Sequence, residues 1–445
     1  MVHSEIQMKQ YTNGEFQRTQ TVTLESWEDL RFFKPPHSQK ALDCFAEIYR
    51  KHLIPACPWL FGNLVLFMLP EDMEVPFSRC TPKHGMVADS LTAATAALQA
   101  GVTIVNGRPV FRNLQVESFY RQLESRGCIR IVKGKLPTTR FLPVENRAGF
   151  LTETAQTAMK VNASFFIMDP FDCASIYDHI GTPFGLCVKD GMVLRPPLFG
   201  REALLVDKEG EIRVEPVDVR NLDICIGGKT YRHGVNAQVY SRPDSNRTPP
   251  CVGTKLVIVE RKVVAVCSSR RVKIPASGFV LRIDDGVNIS PGAEVSYGGM
   301  EGIQFGIQVG NSILIDGEKT LSFRSRFYNI RHFQRVPFPP SLYPMDFRKA
   351  RAARIALGTN ADGKPMILWA EGAPKIGYVP GQDSCGASLS EMAELCEEAG
   401  MVSAVNLDGG GSAQILLQGR RQLLISDRLG IDENERPVPL ALVVE

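Results

Sequence analysis

An α+β fold, with a largely antiparallel or mixed sheet and packed helices, is the class this sequence predicts. Asp190-Gly191, Glu209-Gly210, Asp316-Gly317 and Asp362-Gly363 each stand between short β-prone runs. Such dipeptides supply the positive-φ turns that join antiparallel neighbours, not βαβ crossovers. Residues 386–400 read as one amphipathic helix. Leu389, Met392, Ala393, Leu395 and Cys396 keep helical spacing, Ser388 or Ser390 is placed to cap it, and Gly400 stands where the chain should leave it. This helix should pack on one face of the sheet. The first 135 residues hold three helical patterns, in contrast with the strand-rich remainder. That contrast predicts a separate N-terminal α/β lobe at 1–135, of no assigned role, followed by a second domain at 140–445.

Composition narrows the function classes. The chain has 445 residues, 44% hydrophobic and 22% charged, which is ordinary for a soluble globular protein. Its net charge of +3 leaves no nucleic-acid footprint. No window approaches the ~20 uninterrupted apolar residues of a membrane span; the run 59–69 is too short and contains Asn63. The N-terminus has neither a basic nor an apolar leader region. Eleven cysteines are scattered without CxxC pairs or zinc spacing. A reduced, cytoplasmic protein with no cofactor and no metal is the simplest expectation.

Taken in order, residues 1–38 are polar, with weak alternation at 20–24, and suit an arm or an edge hairpin. Helical spacing follows at 42–53, a buried-strand run at 61–69, and a second helix at 85–100. Asn106-Gly107 joins two short β-prone runs in a hairpin. A third helix is expected at 116–126 and a strand at 129–133. His52 and His84 read as surface or core residues. Beyond 140, residues 154–160 look like the end of a helix and 161–166 a strand carrying Asn162. The loop 167–182 holds Asp169, Asp172, Asp178 and His179, candidates for a site mouth or a cation, although irregular acidic loops are mostly solvated. Strands are expected at 183–190, 204–206, 255–259, 263–268, 279–282 and 307–315. A proline-rich loop at 337–344 precedes two strands between 354 and 371.

The chemistry concentrates near the end, in Asn406-Leu407-Asp408-Gly409-Gly410-Gly411-Ser412. Three glycines are expensive to order, so inside a folded domain they mark positive φ or close packing. An amide, a carboxylate and bare N–H groups together suit a sugar or an anion. A tight turn in which Asp408 bonds its own backbone uses the same residues without function. Ser412 has no nucleophile elbow, so a Ser/His/Asp hydrolase is poorly supported, and Ser412 is read as a substrate or backbone contact.

Helix, strand, Asn-x-Asp-Gly-Gly-Gly-Ser, strand resembles the signature of the phosphodiester glycosidase family. Other stretches match in order: Asn162 to Phe166, the ladder from Pro183 to Gly210, Arg354 and Gly358 in an Arg-x-Ala-x-Gly strand, and Glu435-Arg436-Pro437-Val438. Together they span about 140 to 445. Two places after Trp369, where the family commonly has Asp, this chain has Glu371. Members of the family are commonly secreted, which the N-terminus here does not suggest.

The resemblance implies a hydrolase that cleaves a sugar from a glycosyl-1-phosphodiester at the anomeric carbon. The leaving group is a weakly basic phosphate, so holding its charge matters more than protonating it. Arginine does this with a planar fork, and Arg354 and Arg436 are the candidate phosphate holders. A carboxylate can stabilise, attack or activate water at an oxocarbenium-like carbon; Asp408, Glu371 and Glu435 are the candidates. Asn162 and Asn406 are candidate hydroxyl or N-acetyl binders, with Gly409, Gly410 and Ser412 completing the binding loop. The competing reading makes these residues structural ion pairs, Arg436 with Glu435 for example. The protein is then a non-catalytic saccharide-binding or structural module. The two readings part on whether Asp408, Glu371, Arg354 and Arg436 converge.

Overall fold

A computed structural model describes the chain except residues 1, 54–61, 78–85, 146–147, 169, 171, 174, 198–200, 243–244, 285–287, 321–348, 375–376 and 428–434. The proline-rich loop at 337–344, His84 and Asp169 lie outside the described residues, as does the side chain of His52.

Strands make up 41% of the described residues and helices 16%, in a five-blade β-propeller-like arrangement. The α+β expectation is therefore corrected. The reason lies in how apolar faces are covered. One buried cluster draws on three sheets at once: Ile355, Leu357, Trp369 and Val405 from one, Met159, Val161 and Leu442 from a second, Leu204, Val206 and Phe305 from a third. Where sheets cover one another, helices are not needed. The turn signals were read correctly at local level. Asn106, Asp190 and Asp316 all have φ near 50°, each followed by a positive-φ glycine. Every strand pair within 185–370 among the described residues is antiparallel.

The largest sheet has seven strands in the order Val2–Gln10, Phe16–Leu24, Pro365–Ala370, Arg354–Asn360, Met401–Asn406, Ser312–Ile315 and Glu318–Lys319. Its second face is where the predicted helix packs. Leu389–Glu398 starts in a capping box between Ser388 and Glu391 and sets Leu389, Met392 and Cys396 against Ala356, Leu368, Ala370 and Ala404. Each large apolar side chain so buried contributes about 1.5–3 kcal/mol. The chain leaves the helix through Gly400 at φ +83°. The expected helix end at 154–160 is not helical; Met159–Asn162 is a strand, paired on both sides in a four-stranded sheet.

Within the first 33 residues, two strands pair with distant parts of the chain. Phe16–Leu24 pairs with Pro365–Ala370, and Arg31–Phe33 pairs with the last strand, Ala441–Val444. Nothing in a local polar pattern names so distant a partner. Residues from Leu42 to Ala148 do share one core, built by the helices Gln39–Ile48, Ser90–Gly101 and Leu114–Ser125 around the strands Asn63–Phe67, Ile129–Val132 and Thr139–Pro143. Asn63–Phe67 and Thr139–Pro143 pair in parallel.

His179 joins the loop 167–182 to this core. Its Nδ1 lies 2.8 Å from Glu145 Oε1, with the two side chains 3% and 15% exposed. Burial opposes protonation of His179, but the hydrogen bond and charge of Glu145 outweigh it, and its pKa rises above the ordinary 6.5. A raised folded value means the pair stabilises fully below the unfolded pKa, and that contribution is lost as pH rises through the folded one. Glu145→Gln should therefore remove about 2 kcal/mol at pH 6 and much less at pH 9. Thermal midpoints at both pH values check this, and an equal loss at each would refute it.

Candidate functional site

Three central strands of the seven-stranded sheet bring distant parts of the sequence to one edge. Arg354 pairs with Ala370, and Ala356 with Asn406. Because neighbours run antiparallel, the start of Arg354–Asn360 and the ends of Pro365–Ala370 and Met401–Asn406 coincide. Arg354, Glu371 and Asp408 thus emerge at the same end of the sheet.

Asn162, from the adjoining four-stranded sheet, holds the glycine loop. Its Nδ2 donates to the Asp408 carbonyl at 2.7 Å, and its Oδ1 accepts from the Gln414 N–H at 2.9 Å. The Asp408 N–H donates to the Ala163 carbonyl at 3.2 Å. One buried carboxamide therefore spans the loop from end to end. Asp408 itself is 8% exposed.

The three glycines answer to three different constraints. A Cβ on Gly409 would stand 2.6 Å from the Ala353 carbonyl oxygen, to which the Gly410 N–H donates at 2.8 Å. Gly410 has φ +59°, and a Cβ there would meet no protein atom within 4 Å. On Gly411 a Cβ would fall 2.2 Å from Asp427 Oδ2 and 2.4 Å from Arg436 Nη2. The loop turns through Gly410–Ser412, where the Ser412 N–H bonds the Gly409 carbonyl at 3.2 Å.

Arg436 donates through Nε to Asp427 at 2.9 Å, and its Nη2 lies 2.8 Å from the same oxygen, with both side chains about nine-tenths buried. The partner of Arg436 is thus Asp427, not Glu435. Glu435 accepts from the Leu151 N–H at 2.6 Å and the Thr152 N–H at 3.3 Å, and pairs with Arg421 at 2.8 Å. The Thr152 hydroxyl also donates to it. Glu435 thereby ties the turn Leu151–Glu153 to the C-terminal chain.

Glu371 is 1% exposed, pairs with Arg18 at 3.2 Å and accepts from the Leu424 N–H at 3.1 Å. Its neighbour Gly372 packs on Ser426, whose Oγ would be 2.4 Å from an added Cβ. The segment Leu424 to Asp427 therefore touches Glu371 on one side and the glycine loop on the other. Arg354, 3% exposed, donates to the carbonyls of Ala387 at 3.1 Å and Ala350 at 2.9 Å, on the helix-covered face. Asn406 is fully buried, its main chain bonded to Gly310 and Asn311. The structure thus gathers Asn162, Asp408, the glycines, Glu371 and Arg436 around one loop. It ties Glu435 to the turn at 151–153, and points Arg354 towards the helix. Among the described residues no group of three or more His, Cys, Asp and Glu is placed to hold a metal.

Sequence reasoning missed Asp427, Arg18 and Gln414. No signal marks Asp427, a lone carboxylate in an irregular stretch. Arg18 is reached through the strand Phe16–Leu24, whose partner was not predictable.

An antiparallel β-protein with a polar, glycine-lined site at one sheet end is the class this geometry defines. Residues 229–445, just under half of the chain, match the phosphodiester glycosidase family model. The chain is 36% identical over 73 residues to mouse N-acetylglucosamine-1-phosphodiester alpha-N-acetylglucosaminidase, covering 16% of this chain and 13% of the mouse protein. A hypothetical protein from Synechocystis superposes with TM-score 0.41 and 15% identity, over 99% of this chain and 61% of that one. The catalytic domain of the zebrafish N-acetylglucosamine-1-phosphodiester alpha-N-acetylglucosaminidase, auto-inhibited by its pro-peptide, gives 0.36 and 13% over 100% and 83%. Superpositions this loose add nothing to the fold argument.

The glycine constraints predict an ordering. Gly410→Ala should destabilise by about 1–2 kcal/mol, the strain of a left-handed residue. Gly411→Ala should destabilise by about 3–5 kcal/mol, because it forces apart a buried ion pair. Chemical denaturation of both variants checks this; equal losses would contradict it.

Proposed function

We propose that the protein is a hydrolase that releases a sugar from a glycosyl-1-phosphodiester by cleavage at the anomeric carbon. The observation that supports this most is the closure of four distant segments, at 162, 408–412, 427 and 436, around one loop. A turn kept only for its shape would not need a buried carboxamide beneath it and a buried arginine beside it.

In this reading Arg436 holds the phosphate. A guanidinium has five donors, and the two directed at Asp427 orient the rest towards the loop. Asp427 fixes the arginine and balances its charge until a phosphate arrives. Asp408 acts at the sugar, where a carboxylate stabilises an oxocarbenium-like carbon or activates water. It is preferred over Glu435, which is tied to the turn at 151–153, and over Glu371, because Asp408 stands within the glycine loop itself. Gly410, whose outer face meets no protein atom, leaves space for the ring. Asn162 positions the loop instead of binding sugar, and Arg354 fixes the sheet end through Ala350 and Ala387. Asn406 and Ser412, both buried, support the same loop.

A second reading, a saccharide-binding module without catalysis, draws support from the two ion pairs, since structural roles leave Glu371 and Arg436 paired in this way. Kinetics separate the two. Wild-type protein should release free sugar from members of a panel of glycosyl phosphodiesters. Asp408→Asn should lower turnover about 100-fold or more, with substrate affinity and thermal midpoint retained. Arg436→Ala should weaken binding and turnover together, because the phosphate is charged in the ground state as well. A folded, fully active Asp408→Asn protein would remove Asp408 from the mechanism, and no release from any substrate would favour the binding module.

A further inference from the structure

One edge of the seven-stranded sheet is long, regular and exposed. Its outermost strand, Val2–Gln10, has nine residues, and Glu5 to Met8 are all exposed. Natural sheets blunt such edges with proline, bulges or very short strands. The opposite edge strand, Glu318–Lys319, has two residues. Val2–Gln10 contains no proline, and its register with Phe16–Leu24 runs unbroken from Val2 against Leu24 to Gln10 against Phe16.

The hairpin fixes which backbone groups point outward. Beyond Gln10 the Tyr11 N–H donates to the Glu15 carbonyl at 2.8 Å. Hydrogen-bonded pairs alternate with non-hydrogen-bonded ones along an antiparallel ladder, so His3, Glu5, Gln7 and Lys9 turn their backbone groups towards Phe16–Leu24. Arg18 on that strand keeps the same phase, since its carbonyl accepts from the Glu371 N–H on the other side at 2.9 Å. Ser4, Ile6, Met8 and Gln10 therefore aim N–H and carbonyl groups outward, where no strand among the described residues meets them.

The side chains define what fits there. Ile6 is 46% exposed and Met8 63%. They share the face that Val22 and Leu24 bury, but stand opposite Gln20 and Arg18 in their own sheet. An apolar neighbour for them has to come from outside. The other face carries Glu5, Gln7 and Lys9. Lys9 reaches Glu398 at 2.6 Å in an exposed pair. Glu5 accepts from the Gln7 amide at 3.1 Å and has no cationic partner among the described residues.

A second copy of this strand is complementary in one register. Two such edges, run antiparallel, close hydrogen bonds only where even-numbered residues oppose even-numbered ones. A two-fold axis at Glu5 or at Lys9 opposes like charges. One at Ile6 or Met8 brings neither Glu5 nor Lys9 against an opposite charge. An axis at Gln7 sets each Glu5 against Lys9 of the other copy, and each Ile6 against Met8. Opposite charges and apolar pairs directly across strands are favourable contacts.

We propose that the protein forms an isologous dimer through Val2–Gln10, the two strands antiparallel about Gln7, so that two sheets become one. The new ladder supplies about eight backbone hydrogen bonds. Lys9 then lies between Glu398 of its own chain and Glu5 of the second copy.

Sedimentation velocity on the full chain over a concentration series tests this. Wild-type protein should sediment as a dimer. Glu5→Lys and Lys9→Glu should each weaken it about tenfold by opposing like charges, and the two substitutions together should restore it. Ile6→Pro removes an outward N–H without touching the hairpin ladder, and should give a monomer with the wild-type circular dichroism spectrum. Across the axis the Gln7 Cα atoms lie about 4.5 Å apart, within disulfide reach. Mild oxidation of Gln7→Cys should therefore yield a covalent dimer, whereas Glu5→Cys and the wild type should not. A monomer at every concentration would overturn the proposal. A dimer that Glu5→Lys and Ile6→Pro leave intact would place the interface elsewhere and overturn it too, as would cross-linking of Glu5→Cys in preference to Gln7→Cys.

Discussion

Two hydrogen bonds from the Asn162 carboxamide set the geometry on which the rest of the site depends. One end grips the Asp408 carbonyl and the other the Gln414 N–H, so a loop with three glycines takes one shape instead of many. Glycine loses more conformational freedom on folding than any other residue, and a loop of this kind needs restraint from outside itself. Asn162 provides it at the ends. The Ala353 carbonyl beneath Gly409 and Gly410 provides it in the middle, and the Asp427–Arg436 pair closes the far side.

That arrangement depends in turn on antiparallel register. A shift of one residue between Arg354–Asn360 and its neighbours would carry the Ala353 carbonyl away from the loop and turn the apolar rows of both faces outward. The helix Leu389–Glu398 on one face and two further sheets on the other make such a shift costly. The buried pair Arg436–Asp427 and the buried Glu371, paired with the half-buried Arg18, then sit at the sheet end, where the charges are paired because an isolated buried charge is not tolerated.

Much of the local structure could be read from the chain alone. Asn106-Gly107, Asp190-Gly191 and Asp316-Gly317 form the left-handed pairs that their residue types demand. Ser388 caps its helix and Gly400 ends it, since capping chemistry is local. The glycine loop and its strand, and Asn162 beneath it, stood out for the same reason or through family resemblance. The fold class did not, because whether an apolar face is covered by a helix or by another sheet is decided by pairings hundreds of residues apart. Phe16–Leu24 against Pro365–Ala370 is the example that matters most, since it also delivers Arg18 to Glu371. Asp427 was invisible for another reason. Its role comes from facing Gly411, and no spacing in sequence encodes that contact.

The central claim is that the loop works at a sugar carbon while Arg436 holds a phosphate, and the position of bond cleavage tests it most directly. A glycosyl phosphodiester that the protein turns over should be hydrolysed in ¹⁸O-water and both products analysed by mass spectrometry. Attack at the anomeric carbon places the label in the free sugar and leaves the phosphate monoester unlabelled. Label in the phosphate monoester instead would mean attack at phosphorus, and would contradict the assignment of Asp408 and Arg436 to opposite sides of the glycosidic bond.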